Sequence, residues 1–183
     1  MRVALSQRIM YQNGIAYDCI EHGWYSFLRN TDLFFIPNTF NIDFDVLADY
    51  LELFIITGGD DSTLRRTIET KLAAKMMQRN KPVLGICHGA FLLTDLLGGV
   101  VEPVEGHFNT QHNIIYKNQV VTVNSHHNQT ITKLHGSAVP LCFDEDGNIE
   151  AFIDGNLAGV VWHPERMEDP WFPPEILALI GNI

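Results

Sequence analysis

One cysteine lies in a pattern that presents a nucleophile, Gly85-Ile86-Cys87-His88-Gly89. An apolar run precedes Cys87 and an apolar run of helical period follows it, which predicts a strand that turns sharply into a helix. Glycines two residues to either side tolerate strained dihedrals and close backbone contact at such a turn. The thiol would lie at a helix N-terminus, where the macrodipole and free N–H groups favour thiolate. Cys87 is therefore the candidate nucleophile, and a buried structural cysteine is the alternative.

A histidine and a carboxylate follow an apolar run near the end of the chain. Residues 157–162 predict a strand, and His163-Pro164-Glu165 comes directly after it. In extended chain, residues two apart point to the same side, and Pro164 restricts the backbone between them. Glu165 is therefore predicted to bind one ring nitrogen of His163, leaving the other to face a nucleophile. With Cys87, these two residues complete a possible catalytic triad.

The surrounding segments predict the scaffold that positions these residues. Up to residue 99, apolar runs of strand length alternate with runs of helical period, which indicates a parallel sheet covered by helices. Strands are predicted at 2–5, 33–36, 53–57 and 83–86, and helices at 20–28, 43–51, 63–79 and after Cys87. Later β-type runs at 114–116, 120–123, 139–143, 149–153 and 157–162 predict added hairpins, and 175–180 predicts a last helix.

Length and composition indicate one globular domain, 1–183. The chain has 183 residues, of which 46% are hydrophobic, and a net charge of −10. This size supports a core without disulfides or metals. The acidic charge argues against nucleic acid and anionic membranes as partners. No apolar run reaches the about 18 residues of a membrane helix, and three scattered cysteines suit a reducing cytoplasm.

Together, these motifs resemble the class I glutamine amidotransferase family, and in particular its stand-alone γ-glutamyl hydrolase branch. The resemblance rests on the elbow around Cys87, on 162–165 and on Thr57-Gly58-Gly59, with 24–28, 36–38 and 123–129 similar to that branch. It implies a flavodoxin-like α/β fold: a mixed, mostly parallel sheet flanked by helices, with added β-hairpins in the C-terminal half. It also implies a reaction without a cofactor, in which the cysteine forms a γ-glutamyl thioester that is hydrolysed to glutamate.

The resemblance assigns a role to each residue. Cys87 would be the nucleophile, and His163 would be the base for the thiol and then the acid for the leaving amine. Glu165 would orient His163 and stabilise its charge. The main-chain N–H groups of Gly59 and His88 would hold the tetrahedral oxyanion.

One position departs from the family pattern. Glutamine-using members usually carry glutamine four residues after the cysteine, where this chain has Phe91. Phe91 is either a core residue of the elbow helix or the sign of a pocket that no longer recognises free glutamine in the usual way. Other polar groups would then contact the substrate. The substrate-binding residues expected are Gly58, Phe91, Asn124, Ser125, His126 and Gln129.

Two alternatives concern the catalytic base and the protein's class. His88 directly after the nucleophile also resembles the PfpI-type peptidase and glyoxalase superfamily, in which the histidine partner adjoins the cysteine. His163 is favoured because it has an orienting acid of its own. A degenerate member that only binds a ligand is disfavoured, because all three triad residues are present.

A metal site is a further alternative. His107, His112, His126 and His127 lie within a short stretch of the sequence. They lack the rest of a recognisable zinc pattern, and histidines in β-rich segments are more often core, surface or substrate-contact residues. No metal is therefore expected.

The sequence specifies least about the leaving amine of the substrate and about a partner protein. The chain has no room for a synthase domain, so a glutaminase role would require a separate synthase chain. A free-standing hydrolase of a small-molecule γ-glutamyl substrate is favoured. The closest likeness is to hydrolases of γ-glutamyl-CDP-amidate in capsule decoration, with γ-glutamyl-aminobutyrate as the alternative substrate. A diphosphate would need cations near the nucleophile, for which the candidates are Arg8, Arg65, Arg66 and Arg166.

Overall fold

The computed structural model describes residues 1–181. The strands in this part of the chain are β1 (Arg2–Ser6), β2 (Arg8–Gln12), β3 (Ile15–Cys19), β4 (Asp32–Ile36), β5 (Leu53–Ile56), β6 (Val83–Ile86), β7 (Val100–Pro103), β8 (Thr110–Tyr116), β9 (Gln119–Ser125), β10 (Gln129–Lys133), β11 (Val139–Phe143), β12 (Ile149–Asp154) and β13 (Leu157–Val160). The helices are α1 (Gly23–Phe27), α2 (Phe44–Tyr50), α3 (Thr63–Gln78), α4 (His88–Leu96) and α5 (Pro174–Ile180).

Eleven strands form one mixed sheet. Its main path runs β4-β1-β5-β6-β13-β12-β11-β8-β9, and β10 pairs with both β12 and β7. The pairs from β4 to β13 are parallel, whereas the later strands add antiparallel pairs. The predicted α/β fold, a largely parallel central sheet with extra antiparallel strands in the C-terminal half, is confirmed. Within residues 1–181, no helix is long and apolar enough to span a bilayer.

Three neighbouring parallel strands carry the residues that the sequence singles out. Strands β5, β6 and β13 lie side by side, and all their residues are buried. Such burial on both faces explains their nearly continuous apolar sequences. Because parallel strands end at the same edge of a sheet, Gly58, Cys87 and His163 follow them at one edge. In open α/β sheets, this carboxyl edge is where ligands bind.

The elbow glycines permit close packing rather than an unusual backbone turn. A Cβ on Gly85 would lie 2.4 Å from the main-chain carbon of Gly89. One on Gly89 would lie 2.2 Å from the main-chain oxygen of Ile56. Neither glycine has a positive φ. The missing side chains therefore let α4 pack directly onto β5 and β6, and this contact brings Cys87 to the sheet edge.

The helix predicted at 20–28 is shorter in the structure, and a hairpin that precedes it was not predicted. Only Gly23–Phe27 is helical, and β2 and β3 form a separate two-stranded hairpin before it. The turn between them is Asn13-Gly14, and both residues have positive φ. Asn-Gly is a strong hairpin signal, so the sequence did contain the information. Strands β7 and β10 were also missed, because they are short and their pairing depends on strands remote in sequence.

Candidate active site

Cys87 occupies a strained turn between β6 and α4. Its backbone has φ 49° and ψ −104°, and it immediately precedes the first residue of α4. A non-glycine residue with positive φ costs energy and persists only where the surrounding structure enforces it. Here the Cys87 N–H donates to the Val160 carbonyl at 2.8 Å, which ties the turn to the neighbouring strand β13. The turn leaves the side chain at the wall of a cleft.

His163 and Glu165 form the predicted contact, but through a different backbone. The ring Nδ1 lies 2.7 Å from Glu165 Oε1, and both side chains are buried. The extended conformation expected between them is wrong, because Pro164–Arg166 forms a 3₁₀ turn. A proline at the start of a helical turn loses no hydrogen bond, since that N–H would have no helical partner. The turn brings the carboxylate back toward the ring.

The surroundings of His163 favour its charged form. Burial by itself lowers the pKa of His163, but interactions with the Cys87 sulfur and the Glu165 carboxylate outweigh it and raise the pKa to about 9. The nearby carboxylate stabilises the imidazolium, and the hydrogen bond holds the ring. An imidazolium beside a cysteine sulfur can act as a general acid once the sulfur has attacked.

The two glycines after β5 lie against different parts of this arrangement. A Cβ on Gly58 would meet the His163 ring at 2.3 Å, so Gly58 makes room for the imidazole. Gly58 does not line the cleft that contains Cys87, whereas Gly59 and His88 do. Gly59 has φ 118°, a conformation that suits glycine. As the first residue of α4, His88 has an N–H that no carbonyl of its own helix accepts.

A buried ion-pair network behind the cleft was not predicted from the sequence. Arg65 is fully buried and donates to Glu69 at 2.8 Å and to the Asp60 carbonyl at 3.0 Å. Its guanidinium also donates to the carbonyl of Thr57. The second Glu69 oxygen lies 2.8 Å from His88 Nε2. This network ties the turn after β5 to α3 and α4, and the i, i+4 spacing of arginine and glutamate on α3 was its signal in the sequence.

The cleft beside Cys87 has a volume of about 350 Å³. Of the predicted contacts, Phe91, His126 and Gln129 line it, and Phe91 is also packed into the core with 8% of its surface exposed. The phenyl ring lies 6.2 Å from the ring of His127, measured between centroids. Both interpretations of Phe91 are thus compatible with its position.

Asn124 and Ser125 have contacts other than those expected. The Asn124 amide donates to the His163 carbonyl and accepts from the His163 N–H, both at 2.8 Å. Ser125 is fully buried, and its hydroxyl donates to the carbonyl of His107. Neither lines the cleft. Their prediction as substrate-binding residues is corrected: Asn124 positions the chain at His163, and Ser125 fixes a loop.

The four candidate arginines separate into two groups. Arg65 is occupied by the buried network, and Arg66 pairs with Asp95 at 2.9 Å outside the cleft. Arg8 and Arg166 both line the cleft. Arg166 makes a bidentate pair with Glu21, at 2.8 and 2.7 Å, whereas the nearest Arg8 nitrogen is 3.9 Å from that carboxylate. Of the four candidates, only Arg8 and Arg166 therefore remain as possible phosphate ligands.

The clustered histidines also separate in space. His126 lines the cleft. His107, His112 and His127 instead converge on Glu150, a residue that no sequence motif singled out. Glu150 lies on β12, remote in sequence from the histidines.

Comparison with known proteins identifies relatives over most of the chain. The sequence model of the family described as "Glutamine amidotransferase class-I" matches residues 18–174. The γ-glutamyl-CDP-amidate hydrolase of Campylobacter jejuni is 29% identical, covering 91% of this chain and 90% of that protein. A subunit of the glutamine-hydrolyzing GMP synthase of Picrophilus torridus is 30% identical, covering 71% of this chain and 74% of that protein.

A solved structure shares the fold. A protein of Thermoplasma acidophilum, described as a candidate subunit of GMP synthase, superimposes with a TM-score of 0.72 at 18% sequence identity. The match covers 98% of this chain and 92% of that one.

Proposed function

The chain belongs to the class I glutamine amidotransferase family, and on that basis we propose that it is a hydrolase of γ-glutamyl amides that works without a partner synthase. The substrate we propose is γ-glutamyl-CDP-amidate, which is cleaved to glutamate and the nucleotide phosphoramidate. Two lines of support are the relative of that name and the cleft itself. The proposed catalytic residues are Cys87, His163 and Glu165.

The proposed mechanism has two stages on Cys87. The thiolate attacks the γ-carbonyl carbon, and the N–H groups of Gly59 and His88 donate to the oxyanion. The imidazolium of His163 gives its proton to the amide nitrogen, the C–N bond breaks, and a γ-glutamyl thioester remains. His163 then takes a proton from water, whose oxygen attacks the thioester. The C–S bond breaks, glutamate leaves, and the sulfur departs as thiolate beside the protonated imidazole, which restores the starting pair. Glu165 stabilises the imidazolium in both stages.

The observation that carries the substrate proposal is the position of Arg8 and Arg166. In a chain with a net charge of −10, two guanidinium groups line the cleft that contains Cys87. Arg166 is paired with Glu21 through two short contacts, whereas Arg8 approaches that carboxylate only to 3.9 Å and its Nε makes no hydrogen bond in residues 1–181. A guanidinium binds phosphate oxygens with charge-assisted hydrogen bonds. Free glutamine and γ-glutamyl-aminobutyrate carry no phosphate for it to bind.

A glutaminase that serves a separate synthase chain is the second candidate. The relative from Picrophilus torridus carries the name of a synthase subunit, and a protein of that kind would act on free glutamine with a partner chain. Phe91 stands where glutamine-using members carry glutamine, and this departure from their pattern favours the stand-alone role.

The substrate comparison is the experiment that tests the proposal. Purified protein is assayed for glutamate release from γ-glutamyl-CDP-amidate, γ-glutamyl-aminobutyrate and glutamine. We expect the nucleotide conjugate to have the highest kcat/KM. Arg8→Gln should raise the KM for the nucleotide conjugate by about 10- to 100-fold, because one charge-assisted hydrogen bond is lost. The KM for γ-glutamyl-aminobutyrate should stay nearly unchanged.

Arg2→Gln is the matched control, because Arg2 lies at the start of β1, away from the cleft. If Arg8→Gln raises both KM values equally, the arginine does not bind phosphate. Turnover of glutamine alone, or only after a synthase chain is added, would support the glutaminase role instead.

The pH profile tests the role of the His163–Glu165 pair. Because the pKa of His163 is raised to about 9, its acid form is present below that pH, and kcat/KM should fall as the pH rises through about 9. Glu165→Gln removes a charge that raises this pKa, so the alkaline limb should move to lower pH and kcat should fall by about 10²- to 10⁴-fold. Glu168→Gln, an exposed neighbour, serves as the control. An alkaline limb that stays in place in Glu165→Gln would contradict the pairing.

A further inference from the structure

Three histidines and one glutamate converge beneath the cleft. His107 lies in the loop before β8, His112 in β8, His127 after β9 and Glu150 in β12. One donor atom from each side chain lies within 4.8 Å of the others. The rings of His107 and His112 are 4.6 Å apart between centroids, and those of His107 and His127 are 5.0 Å apart. Antiparallel pairing thus brings together residues from remote parts of the C-terminal half.

Most polar atoms of this His107/His112/His127/Glu150 cluster make no hydrogen bond within residues 1–181. In residues 1–181, nine buried side-chain nitrogen or oxygen atoms make no hydrogen bond, and six of them belong to the cluster. They include both carboxylate oxygens of Glu150, which is fully buried. The nearest nitrogens are His112 Nε2 at 3.4 Å and His127 Nε2 at 3.9 Å. A buried carboxylate without hydrogen bonds is costly, and a cation is the natural compensation.

The contacts around the cluster orient it as a set of metal ligands. His127 Nδ1 lies 2.7 Å from the carbonyl of Gln129, so this nitrogen carries the proton. The lone pair of Nε2 is then directed into the cluster. His107 presents its Nε2 to Asp144 at 3.8 Å, which leaves Nδ1 for the cluster. Histidine ligands of metals characteristically bind a carbonyl or carboxylate through their other nitrogen.

We propose that His107, His112, His127 and Glu150 bind one divalent transition-metal ion, zinc in the first instance. Three imidazoles and a carboxylate suit zinc, whereas calcium and magnesium prefer oxygen ligands. A tetrahedral ion with bonds of about 2.0–2.2 Å spaces its ligands about 3.4 Å apart, so small side-chain rotations would close the site. With four protein ligands the site is closed, which is typical of structural zinc.

The ion would hold the wall of the cleft. His127 is one of the proposed metal ligands, and it also lines the cleft beside Phe91. Residues 126–129 form part of the same wall. Binding would tie this segment to β8 and β12 without taking part in catalysis. This reverses the expectation that no metal is bound. In the sequence, His126 was grouped with the set and Glu150 was absent from it, so the ligand spacing was not recognisable.

The experiment measures metal rather than activity. Full-length protein produced with zinc in the medium is analysed for metal by mass spectrometry, and we expect one zinc per chain. After removal of the metal with a chelator, added Zn²⁺ should raise the thermal midpoint, and Co²⁺ should give the visible absorption of a tetrahedral site. Mg²⁺ and Ca²⁺ should do neither.

Glu150→Gln and His112→Asn are the test variants, and His135→Asn, an exposed histidine outside the cluster, is the control. Zinc affinity should fall by more than about 100-fold in each test variant and stay unchanged in the control. This loss is larger than the one typical of mutating a residue that only hydrogen-bonds to a metal ligand. The chelator-treated wild type provides the same test without a mutation, should a variant not fold. The proposal would be overturned if wild-type protein contained no zinc and showed neither the thermal nor the cobalt response. It would also be overturned if Glu150→Gln bound zinc as tightly as wild type.

Discussion

Replacing Cys87 with alanine is expected to abolish glutamate release, with a loss of about 10⁴- to 10⁶-fold, while the protein stays folded. In the proposed mechanism, the sulfur forms the thioester, and the other groups act only through it. Cys142 cannot substitute for it, because burial raises the pKa of its thiol to about 12. Cys19→Ala serves as the control and should retain wild-type activity. Release of glutamate by Cys87→Ala would remove the proposed nucleophile.

The same position allows a test of backbone strain. Cys87→Gly should be as inactive as Cys87→Ala but more stable, by about 1–3 kcal/mol in the free energy of unfolding. Alanine retains the strained conformation at φ 49° and ψ −104°, whereas glycine adopts it more readily. Denaturant titration of the two inactive variants compares their stability without interference from activity. Equal stability would show that this turn stores no strain.

His163→Ala is expected to reduce kcat by at least about 10³-fold, because both proton transfers pass through this ring. His88→Ala should cost at most about tenfold in kcat, since its proposed oxyanion donor is the main-chain N–H. The pair of variants is informative because His88 also has a carboxylate partner, Glu69, at 2.8 Å. His163 is favoured because it interacts with the Cys87 sulfur, whereas Glu69 also binds Arg65.

Both variants should also lose stability, because each removes the donor of a buried carboxylate, and in His163→Ala that carboxylate is Glu165. His88→Ala leaves one Glu69 oxygen buried without its donor, which should cost about 1–3 kcal/mol of unfolding free energy. Thermal and denaturant unfolding of both variants, measured beside kcat, give the complete comparison. If His88→Ala lost activity and His163→Ala kept it, the base would be His88 with Glu69, and the proposed triad would be wrong.

Most of the sheet's parallel half could be predicted because its signals are local. Apolar runs of strand length alternate with helix-length runs, and caps mark helix starts. Asp43 and Ser62 both accept hydrogen bonds from the first turn of the helices they precede. The β2–β3 hairpin was missed because its residues are largely exposed and no buried face imposes an alternating pattern.

The candidate site also has some features that the sequence predicted and others that it did not. The Cys87 elbow and the His163–Glu165 contact are each encoded within a few residues, so the sequence alone predicted both features. Their meeting follows from the fold rule that parallel strands end at one edge. Which of the arginines line the cleft does not follow from any local pattern. Arg65 and Arg66 are adjacent in sequence, but Arg65 is fully buried in an ion pair with Glu69, whereas Arg66 is half-buried and pairs with Asp95.

The sequence by itself determined the fold class, the turn at Cys87 and the histidine–glutamate contact. Short-range sterics and hydrophobic periodicity govern these features, and they act within a few residues. Only the tertiary structure decided that Asn124 binds the backbone of His163 and that Glu150 joins the three histidines. These contacts depend on the pairing and facing of antiparallel strands that are remote in sequence, and a shift of one residue would turn each side chain to the opposite face.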